Sequence, residues 1–348
     1  MTFQTLVNNI SFNSKGFDIV PDYNKGPILI IKNNHTANNK IVDLIMKLSN
    51  QYVEILNIST SDTRTLLVVD VSKKIKNKKL QLVFIIGGGS IIDFSKRVVT
   101  QISREHKHKI EFYIIPSKIG SGAESSNTSI LNYGNIKNFK IDKNFIPDGV
   151  IYYTHLYSSL TNLDLLMGAM DAFMHCIESI LSFNKNHYLN FLSFSSIRFI
   201  YESGVIDKLI NQEELKENDI RNLCILSFNG GMAQNNSGAG ICHALAHATE
   251  ELTQLSHAQC ISYYSKPIIK YVLLTNKSFK DAIDLNIIEL IYRMFEEIKI
   301  KNNFQLIDNV LNSELEFNRM LSKARKDSCW RLFKEKIDEE ILKKELIK

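Results

Sequence analysis

Three uninterrupted apolar runs restrict the fold of this chain more than any other sequence feature. They lie in GPILIIKNN (residues 26–34), LQLVFIIGGG (80–89) and KIEFYIIPS (109–117). A strand that is apolar on both faces must be buried on both faces, which is typical of a parallel sheet covered by helices. The segments NKIVDLIMKLSN (39–50) and SIIDFSKRVVTQI (90–102) have the periodicity of such covering helices. We therefore predict an N-terminal α/β domain with a parallel sheet.

Strand patterns end near Tyr153, and helical periodicity continues through the rest of the chain. A further strand, YVEILNIS (52–59), and a hairpin with a glycine turn, NTSILNYGNIKNFKI (127–141), belong to the first part. The length of 348 residues exceeds what one hydrophobic core usually serves. The sequence therefore predicts a nucleotide-binding α/β domain over residues 1–155 and an all-helical domain over 156–348.

Composition and charge argue against two classes of partner. Hydrophobic residues make up 44% of the chain and charged residues 23%, as in ordinary globular proteins. The net charge of +5 comes from dispersed lysines, so we expect no nucleic-acid partner. No apolar run reaches the roughly 18 residues that a membrane span needs. We therefore expect no membrane partner either, and the chain does not open on a signal-peptide pattern.

The cysteines indicate a reducing compartment. Five are present, they are scattered, and no C-x-x-C pair occurs, which argues against disulfides and a cysteine-rich zinc module. We therefore expect a cytoplasmic protein. Its expected partners are small molecules, and we leave open whether it forms a homodimer. The last segment, FKEKIDEEILKKELIK, is predicted to be a charged surface helix or a frayed end.

A glycine-rich turn joins the central apolar strand to the helix that follows it. Gly87, Gly88 and Gly89 let the backbone approach a ligand closely, and the helix N-terminus offers unpaired N–H groups to a phosphate. Ser90 is predicted to cap this helix, with Asp93 completing a capping box. The GGG turn alone is equally compatible with an ordinary strand-to-helix connection, and its spacing differs from the G-x-G-x-x-G fingerprint.

A second turn of small residues, in PSKIGSGAESS, follows the next strand. Gly120 and Gly122 permit tight turns, while Ser117, Lys118 and Ser121 offer two hydroxyls and a cation. The carboxyl ends of strands in a parallel sheet share one edge, and α/β proteins bind ligands at that edge. The two turns together therefore predict a phosphate-bearing cofactor.

Two helical segments carry potential metal ligands at i, i+4 spacing. Asp171 and His175 in GAMDAFMHCIES share one helix face, as do His243 and His247 in GICHALAHATEELTQLSH. His257 lies beyond that second helix, near the start of the next. One carboxylate with two or three imidazoles suits Fe²⁺, Zn²⁺ or a similar ion. Either pair alone is compatible with ordinary surface or capping contacts, but the two together favour a metal site.

These motifs resemble, in their order and separations, those of the iron-containing (group III) alcohol dehydrogenases. The resemblance covers roughly residues 25–270 and depends on GGGSIIDFSK, PSKIGSGAESS, GAMDAFMHCIES and GICHALAHATEELTQLSHAQ. It implies the dehydroquinate synthase-like fold, which has an α/β N-terminal dinucleotide-binding domain with a parallel sheet and an all-α C-terminal domain.

The resemblance also assigns roles to individual residues of this chain. It implies a divalent metal, Fe²⁺ or Zn²⁺, and four side chains would ligate it: Asp171, His175, His243 and His257. His247 would be catalytic, as a proton relay or orienting group near the nicotinamide. Residues of the first domain would bind the cofactor, NAD(H) or NADP(H): Asn33, Gly87, Gly88, Gly89, Ser90, Asp93, Ser117, Lys118, Ser121 and Lys140.

Two departures from the family pattern bear on specificity. The family usually has two threonines where this chain has Ser117 and Lys118, so Lys118 adds a cation near the cofactor or substrate. Asn33 stands where an acidic residue often binds the adenosine ribose. Without that carboxylate a repulsion against a 2′-phosphate is lost, which favours acceptance of NADP(H).

The resemblance implies reversible hydride transfer between NAD(P)(H) and a small alcohol or aldehyde. The added lysine favours an anionic aldehyde that carries a phosphonate, phosphate or carboxylate group. Two alternatives stay open at this stage. One is a dehydroquinate synthase-like lyase or cyclase that uses NAD transiently on a phosphorylated substrate. The other is a non-catalytic nucleotide-binding protein, which would bind cofactor without metal.

Overall fold

A computed structural model describes residues 7, 9–13, 22, 26–35, 37–59, 63, 65–75, 80–133, 136–333 and 336–347. The chain divides into two compact units, Met1–Leu160 and Thr161–Lys348. The first unit is α/β and the second is helical, so the predicted fold class is confirmed. The division follows a 3-10 helix at Thr154–Ser159 and lies a few residues beyond the expected boundary at residue 155.

Six strands form the sheet of the first unit. They are β1 (Ile10–Asn13), β2 (Ile28–Lys32), β3 (Val53–Asn57), β4 (Leu82–Gly87), β5 (Glu111–Pro116) and β8 (Gly149–Tyr153). All pairings are parallel, in the spatial order β1-β8-β5-β4-β2-β3. Every residue of β2 and β4 is buried, which explains why both strands are apolar except for Lys32 at the end of β2. Gly87 lies opposite Pro116, so β4 and β5 end at the same level of the sheet.

Helices and a hairpin complete the first unit. The helices are α1 (Ala37–Leu48), α2 (Thr65–Ile75) and α3 (Gly89–His106), and the antiparallel hairpin consists of β6 (Thr128–Tyr133) and β7 (Ile136–Ile141). Shorter 3-10 helices occupy Ala123–Ser125 and Lys143–Phe145. The predicted hairpin is confirmed. Helix α2 and the strands β1 and β8 were not predicted from the sequence.

The described part of the second unit is built from helices. They are α4 (Asn162–Leu181), α5 (His187–Ser203), α6 (Val205–Ile210), α7 (Glu217–Ser237), α8 (Ile241–Thr253), α9 (His257–Thr275), α10 (Lys277–Ala282), α11 (Leu285–Lys301), α12 (Gln305–Asn312), α13 (Glu314–Lys326), α14 (Ser328–Leu332) and α15 (Glu339–Leu346). Within the charged tail, Glu339–Leu346 forms a helix, and α15 buries Leu342 and Leu346. Among all described helices, none is long and apolar enough to cross a membrane.

Lys96 connects α3 to the small-residue turn after β5. Its side chain is fully buried, and its ammonium donates to the backbone carbonyls of Ala123, Ser126 and Thr128. Burial lowers the pKa of Lys96 to about 8 against the opposing effect of two nearby carboxylates, so the group stays charged at neutral pH. A buried ammonium is tolerated only with such partners, and Lys96 therefore holds the turn against the helix.

Two further charged side chains of α3 hold the hairpin. The Arg97 guanidinium donates to the hydroxyl and carbonyl of Ser129, at 2.8 Å each, and to the side chain and carbonyl of Asn138, at 2.6 Å each. The Asp93 carboxylate accepts from the backbone N–H of Ile130 at 3.0 Å. Positions 93, 96 and 97 share one helix face, so a single face of α3 positions both the turn and the hairpin.

The predicted capping box at the start of α3 is wrong. Gly88 is the N-cap, no side chain caps the helix, and Ser90 already lies within its first turn. Asp93 is three residues beyond Ser90 but is used by the hairpin amide of Ile130. Glycine at the cap position leaves the first amides uncovered, and a tertiary contact takes the carboxylate that local spacing had assigned to the cap.

We expect Lys96→Met to lower the free energy of unfolding by about 3–5 kcal/mol, because it leaves buried carbonyls and carboxylates without their cation. Urea denaturation followed by circular dichroism measures this loss. Lys143→Met, at an exposed position, is the matched control and should change stability by less than about 0.5 kcal/mol. Equal stabilities for the two variants would contradict a structural role for the Lys96 ammonium.

Candidate active site

The glycine turn presents an uncapped helix N-terminus at the carboxyl end of β4. The strand ends at Gly87, Gly88 is the N-cap, and α3 begins at Gly89. The first amides of an α-helix have no intrahelical partners, and here no side chain caps them. Ser90 is exposed in this first turn, and the N–H of Ser117 donates to the Gly87 carbonyl at 3.0 Å. Such an N-terminus is suited to bind a phosphate group.

The second small-residue turn lies directly against the first. A methyl group built on Gly88 would lie 3.5 Å from Cδ of Lys118, and one built on Gly89 would lie 3.0 Å from Oγ of Ser121. Gly122 adopts φ of 60°, in the left-handed region that favours glycine. The predicted proximity of the two turns is thus present in the structure, with the exposed Lys118 beside the glycines.

Asn33 follows β2, the strand that pairs with β4 on the side away from β5. Lys32 lies opposite Ile86, so the ends of β2 and β4 are adjacent. The chain leaves β2 toward β3 on one side and returns to β4 on the other, which makes this edge a topological switch point. The Asn33 side-chain oxygen accepts from Nδ2 of Asn38 at 2.5 Å. Asn33 therefore lies at the edge where such sheets bind dinucleotides.

The remaining two predicted cofactor residues, Asp93 and Lys140, lie beside the length of α3 rather than at its start. The Asp93 carboxylate faces the hairpin and accepts from the N–H of Ile130. Lys140 lies on β7 and lines a cavity of about 120 Å³ together with Thr100 and Arg104. With a rise of 1.5 Å per residue, Thr100 is roughly 16 Å along the helix from Gly89. The described contacts do not bring Lys140 to the glycine turn.

Three helices of the second unit bring together the predicted metal ligands. Asp171 and His175 lie on one face of α4, and His243 lies in the first turn of α8. His257 is the first residue of α9, which starts there because Ser256 caps it within a capping box. The prediction that His257 lies near the start of the next helix is confirmed.

The Asp171 carboxylate lies at the centre of this group. Its Oδ1 is 3.3 Å from Nε2 of His243, 3.6 Å from Nε2 of His175 and 3.8 Å from Nε2 of His257. Among the described atoms, Oδ1 of Asp171, Nε2 of His243 and Nδ1 of His175 are buried without a hydrogen-bond partner. Orphaned buried polar atoms of this kind are costly. The facing, unpartnered Oδ1 of Asp171 and Nε2 of His243, with the His175 ring beside them, therefore fit a divalent ion.

The charge states of Asp171 and His175 fit a cation, whereas that of His243 requires the loss of a proton. Burial alone would raise the pKa of Asp171, but the surrounding histidines, His175 foremost, lower it to about 2. Burial lowers the pKa of His175 to about 4, so this ring is a neutral ligand at pH 7. For His243 burial is outweighed by Glu178 and Asp171, which raise its pKa to about 10. An ion that ligates His243 must therefore displace its proton.

His247 is one turn beyond His243 on α8, but it does not join the Asp171 cluster. Its ring stacks on that of His257 with centroids 5.4 Å apart and meets the His243 ring edge-on at 6.2 Å. Its Nδ1 lies 2.8 Å from Oδ2 of Asp327. Among the described ion pairs within 4 Å of Asp171, the other three histidines appear and His247 does not.

Two family models match this chain. Residues 14–154 match the iron-containing alcohol dehydrogenase model, and residues 165–281 match the C-terminal model of the Fe-containing alcohol dehydrogenase family. The chain belongs to the iron-containing alcohol dehydrogenase family. The resemblance inferred from the four motifs is therefore confirmed.

Relatives in this family are distant in sequence. The 4-hydroxybutyrate dehydrogenase of Clostridium kluyveri is 23% identical over 71% of this chain and 69% of its own length. The probable alcohol dehydrogenase EutG of Salmonella typhimurium is 24% identical over 50% of this chain, and the match spans about half of that relative's length, 47%. The sulfoacetaldehyde reductase of Bifidobacterium kashiwanohense, solved with NAD⁺, has a TM-score of 0.81 at 14% identity, over 99% of this chain and 97% of that one.

Glu178 is a member of the site that sequence reasoning missed. It is completely buried on α4, and it accepts from the backbone N–H of Gly240 at 2.8 Å and of Cys242 at 2.6 Å. Its Oε2 also lies 2.5 Å from Nδ1 of His243. A side chain on Gly240 would come within 2.9 Å of this carboxylate. The available signal was its spacing: three residues after His175, Glu178 shares the ligand face of an otherwise apolar helix.

His257 has a similar outer partner. Its Nδ1 lies 2.6 Å from Oε1 of Glu250, which is only partly buried on α8. Carboxylates of this kind orient a metal-ligating imidazole and raise its basicity. Each of the three histidines from the GICHALAHATEELTQLSH segment thus has a carboxylate at Nδ1.

We expect Glu178→Gln to weaken metal binding by about ten- to a hundredfold. The substitution removes the negative charge that orients His243, and it places an amide NH₂ group where a carboxylate oxygen accepts from a backbone N–H. Competition with a chelator of known affinity measures the change. Glu250→Gln is the matched variant at the more exposed His257, and its loss should be smaller. Identical metal affinity in Glu178→Gln and the wild type would refute this role.

Gly87 and Gly88 are expected to differ in their tolerance of a methyl group. On Gly87 it would lie 2.7 Å from Cβ of Ile91, whereas on Gly88 the nearest atom is Cδ of the flexible Lys118 at 3.5 Å. Gly87→Ala should cost about 1–3 kcal/mol through overpacking, and Gly88→Ala less than about 0.5 kcal/mol. Thermal denaturation compares the two variants. A larger loss at Gly88 would contradict this packing.

Proposed function

We propose that this protein is a metal-dependent NAD(P)(H) oxidoreductase that interconverts a small alcohol and the corresponding aldehyde or ketone. The observation that carries the proposal is the buried group of Asp171, His175 and His243, in which Oδ1 of Asp171 and Nε2 of His243 lie 3.3 Å apart and have no hydrogen-bond partner. Nε2 of His257 lies 3.8 Å from the same oxygen and completes the set of four. Membership of the iron-containing alcohol dehydrogenase family supports it. The same membership favours net alcohol oxidation over a lyase or cyclase reaction.

The four side chains of this cluster hold the metal, which is Fe²⁺ or Zn²⁺. When bound, such an ion supplies Lewis acidity that polarises a carbonyl oxygen or lowers the pKa of an alcohol. The protein's own contribution is to keep Asp171 ionised, to keep His175 neutral, and to orient His243 and His257 through their outer carboxylates. His247, which lies beside the cluster, exchanges the proton with the substrate oxygen.

The first unit binds the dinucleotide. The uncapped N-terminus of α3 at Gly88 and Gly89 binds the pyrophosphate, and Ser117 and Ser121 add hydroxyl contacts from the neighbouring turn. The cofactor carries out the hydride transfer, while the protein binds and orients it. The roles of Asp93 and Lys96 toward this cofactor are indirect, since both side chains hold the structure around the turn.

NADP(H) is accepted as well as NAD(H). The residue after β2 is Asn33, so no carboxylate repels a 2′-phosphate at this position. Lys32 is the neighbouring residue, and its ammonium donates to the Asn33 carbonyl at 3.2 Å. A cation so close to the expected position of the ribose favours binding of the 2′-phosphate of NADP(H).

The substrate carries an anionic group. Lys118 is exposed beside the glycine turn, and it replaces an uncharged residue that is usual in the family. The 4-hydroxybutyrate dehydrogenase of Clostridium kluyveri is a relative whose named substrate contains a carboxylate, which supports this class. Phosphonate, phosphate and carboxylate aldehydes are therefore the compounds of choice for assay.

Aldehyde reduction with restored metal tests this proposal. Apoprotein reloaded with Fe²⁺ or Zn²⁺ should consume NADH or NADPH with small aldehydes, with anionic aldehydes preferred over neutral ones of equal size. His243→Ala should lose bound metal and turnover, because it removes a central ligand. The readouts are metal content by elemental analysis and absorbance at the reduced nicotinamide band.

The control for this variant is His187→Ala, at the exposed start of α5, which should retain both metal and turnover. Stoichiometric metal and full activity in His243→Ala would overturn the assignment. Turnover of a phosphorylated substrate without net nicotinamide change would indicate the lyase or cyclase chemistry instead. Cofactor binding without any metal binding would indicate a non-catalytic nucleotide-binding protein.

A further inference from the structure

Asp327 connects a remote part of the second unit to His247. It lies 80 residues further along the chain, at the N-cap of the short helix α14, and its Oδ2 is 2.8 Å from Nδ1 of His247. Both side chains are mostly buried, with exposures of 20% and 15%. This carboxylate did not belong to any motif of the sequence.

The position of Asp327 is itself determined by backbone contacts. Its Oδ1 accepts from the N–H of Cys329 at 2.8 Å, and its own N–H donates to the carbonyl of Ala324 at 3.0 Å. One carboxylate oxygen therefore serves the helix cap and the other serves the imidazole. Because the cap restricts the side-chain torsions of Asp327, Oδ2 is presented to His247 in a single direction.

This contact selects one tautomer of His247. Burial alone would raise the pKa of Asp327. The hydrogen bond from His247 and the electrostatic attraction of its ring outweigh burial and lower this pKa below the usual range. An ionised carboxylate can only accept, so Nδ1 of His247 must carry the hydrogen. In the neutral ring the lone pair is then on Nε2, and this nitrogen is the one that can take up a proton.

The location of His247 makes this tautomer relevant to the reaction. The ring stacks on His257 and meets the edge of His243, two of the proposed metal ligands, but it does not share their short contact with Asp171. It thus lies beside two proposed ligands, where the proposed function would place the substrate oxygen, and outside the contacts that those ligands make with Asp171. A group that exchanges a proton there needs its acceptor nitrogen oriented before the substrate arrives.

We propose that Asp327 is a positioning residue that holds His247 in the Nδ1-protonated tautomer, with Nε2 as the proton-exchanging atom. This inference depends on the oxidoreductase function proposed above. In aldehyde reduction, a proton on Nε2 passes to the developing alkoxide oxygen while Nδ1 keeps its hydrogen and its bond to Asp327. In alcohol oxidation, Nε2 takes the hydroxyl proton, and the Asp327 carboxylate stabilises the imidazolium formed.

Asp327→Ser separates positioning from helix capping. Serine also caps helices well, but its side chain is too short to reach His247. The matched control is Asp284→Ser, because Asp284 caps α11 through the same kind of bond, from the N–H of Asn286 at 2.9 Å. In the metal-loaded protein, the single-turnover rate of nicotinamide oxidation should fall about ten- to a hundredfold in Asp327→Ser. The KM for aldehyde, the metal content and the melting temperature should match those of Asp284→Ser.

A double-mutant cycle with His247→Asn shows whether Asp327 acts through the imidazole. If it does, adding Asp327→Ser to His247→Asn should reduce the single-turnover rate by less than about twofold. A reduction as large as in the wild-type background would overturn the proposal, because it would assign Asp327 a role that is independent of His247. Equal rates in Asp327→Ser and Asp284→Ser would overturn it as well.

Histidine ¹⁵N spectra of the Zn²⁺-loaded protein test the inference without turnover. The His247 signal, assigned by its loss in His247→Asn, should report hydrogen on Nδ1 in the wild type and a tautomer mixture in Asp327→Ser. A wild-type signal with hydrogen on Nε2 would refute the proposal. If the wild type reduces no aldehyde, the proposed function fails, and this spectrum still decides whether Asp327 selects the tautomer.

Discussion

The burial of two carboxylates on α4 imposes the arrangement of the helices around the candidate metal site. An ionised side chain inside a helical domain is stable only where donors or cations surround it. Glu178 meets this condition through two backbone N–H groups and the imidazole of His243, all from the first turn of α8. The start of α8 must therefore lie on α4, and His243 is placed beside Asp171 as a consequence. Asp171 itself keeps an oxygen without a hydrogen-bond partner, which is the position that a cation would satisfy.

A buried cation has the corresponding role in the first unit. Lys96 lies within an α/β core made mostly of aliphatic residues. Its ammonium donates to two carbonyls of the small-residue turn and to the carbonyl of Thr128, where β6 begins. The same helix begins at the glycine turn, so both turns at the dinucleotide edge depend on the placement of α3. The lysine of the GGGSIIDFSK motif therefore serves the structure of the site, through the carbonyls of the neighbouring turn and hairpin.

Local patterns predicted much of this architecture from the sequence. A strand that is buried on both faces is composed mainly of apolar residues, so the apolar runs in the sequence were enough to predict β2, β4 and β5. The ligand pairs on α4 and α8 were evident because residues four apart share a helix face. The local pattern at Ser90 and Asp93 predicted the wrong helix cap, because Gly88 is the N-cap and the Asp93 carboxylate accepts from the hairpin amide of Ile130. No local pattern indicated that Lys140 lines a cavity along the side of α3.

The sequence by itself determined the parallel sheet, the two glycine turns and the types of metal-binding side chain, because these depend on periodicity and on neighbours within a few residues. Spacing alone did not separate the histidines of the GICHALAHATEELTQLSH segment. Only the tertiary structure places His243 and His257 within 4 Å of Asp171 and His247 beside those two rings. It also decided which carboxylate serves each ring: Glu178 is 65 residues from His243, and Asp327 is 80 residues from His247. Contacts over such separations depend on how the helices pack, and helix packing is set by the whole core rather than by any local pattern.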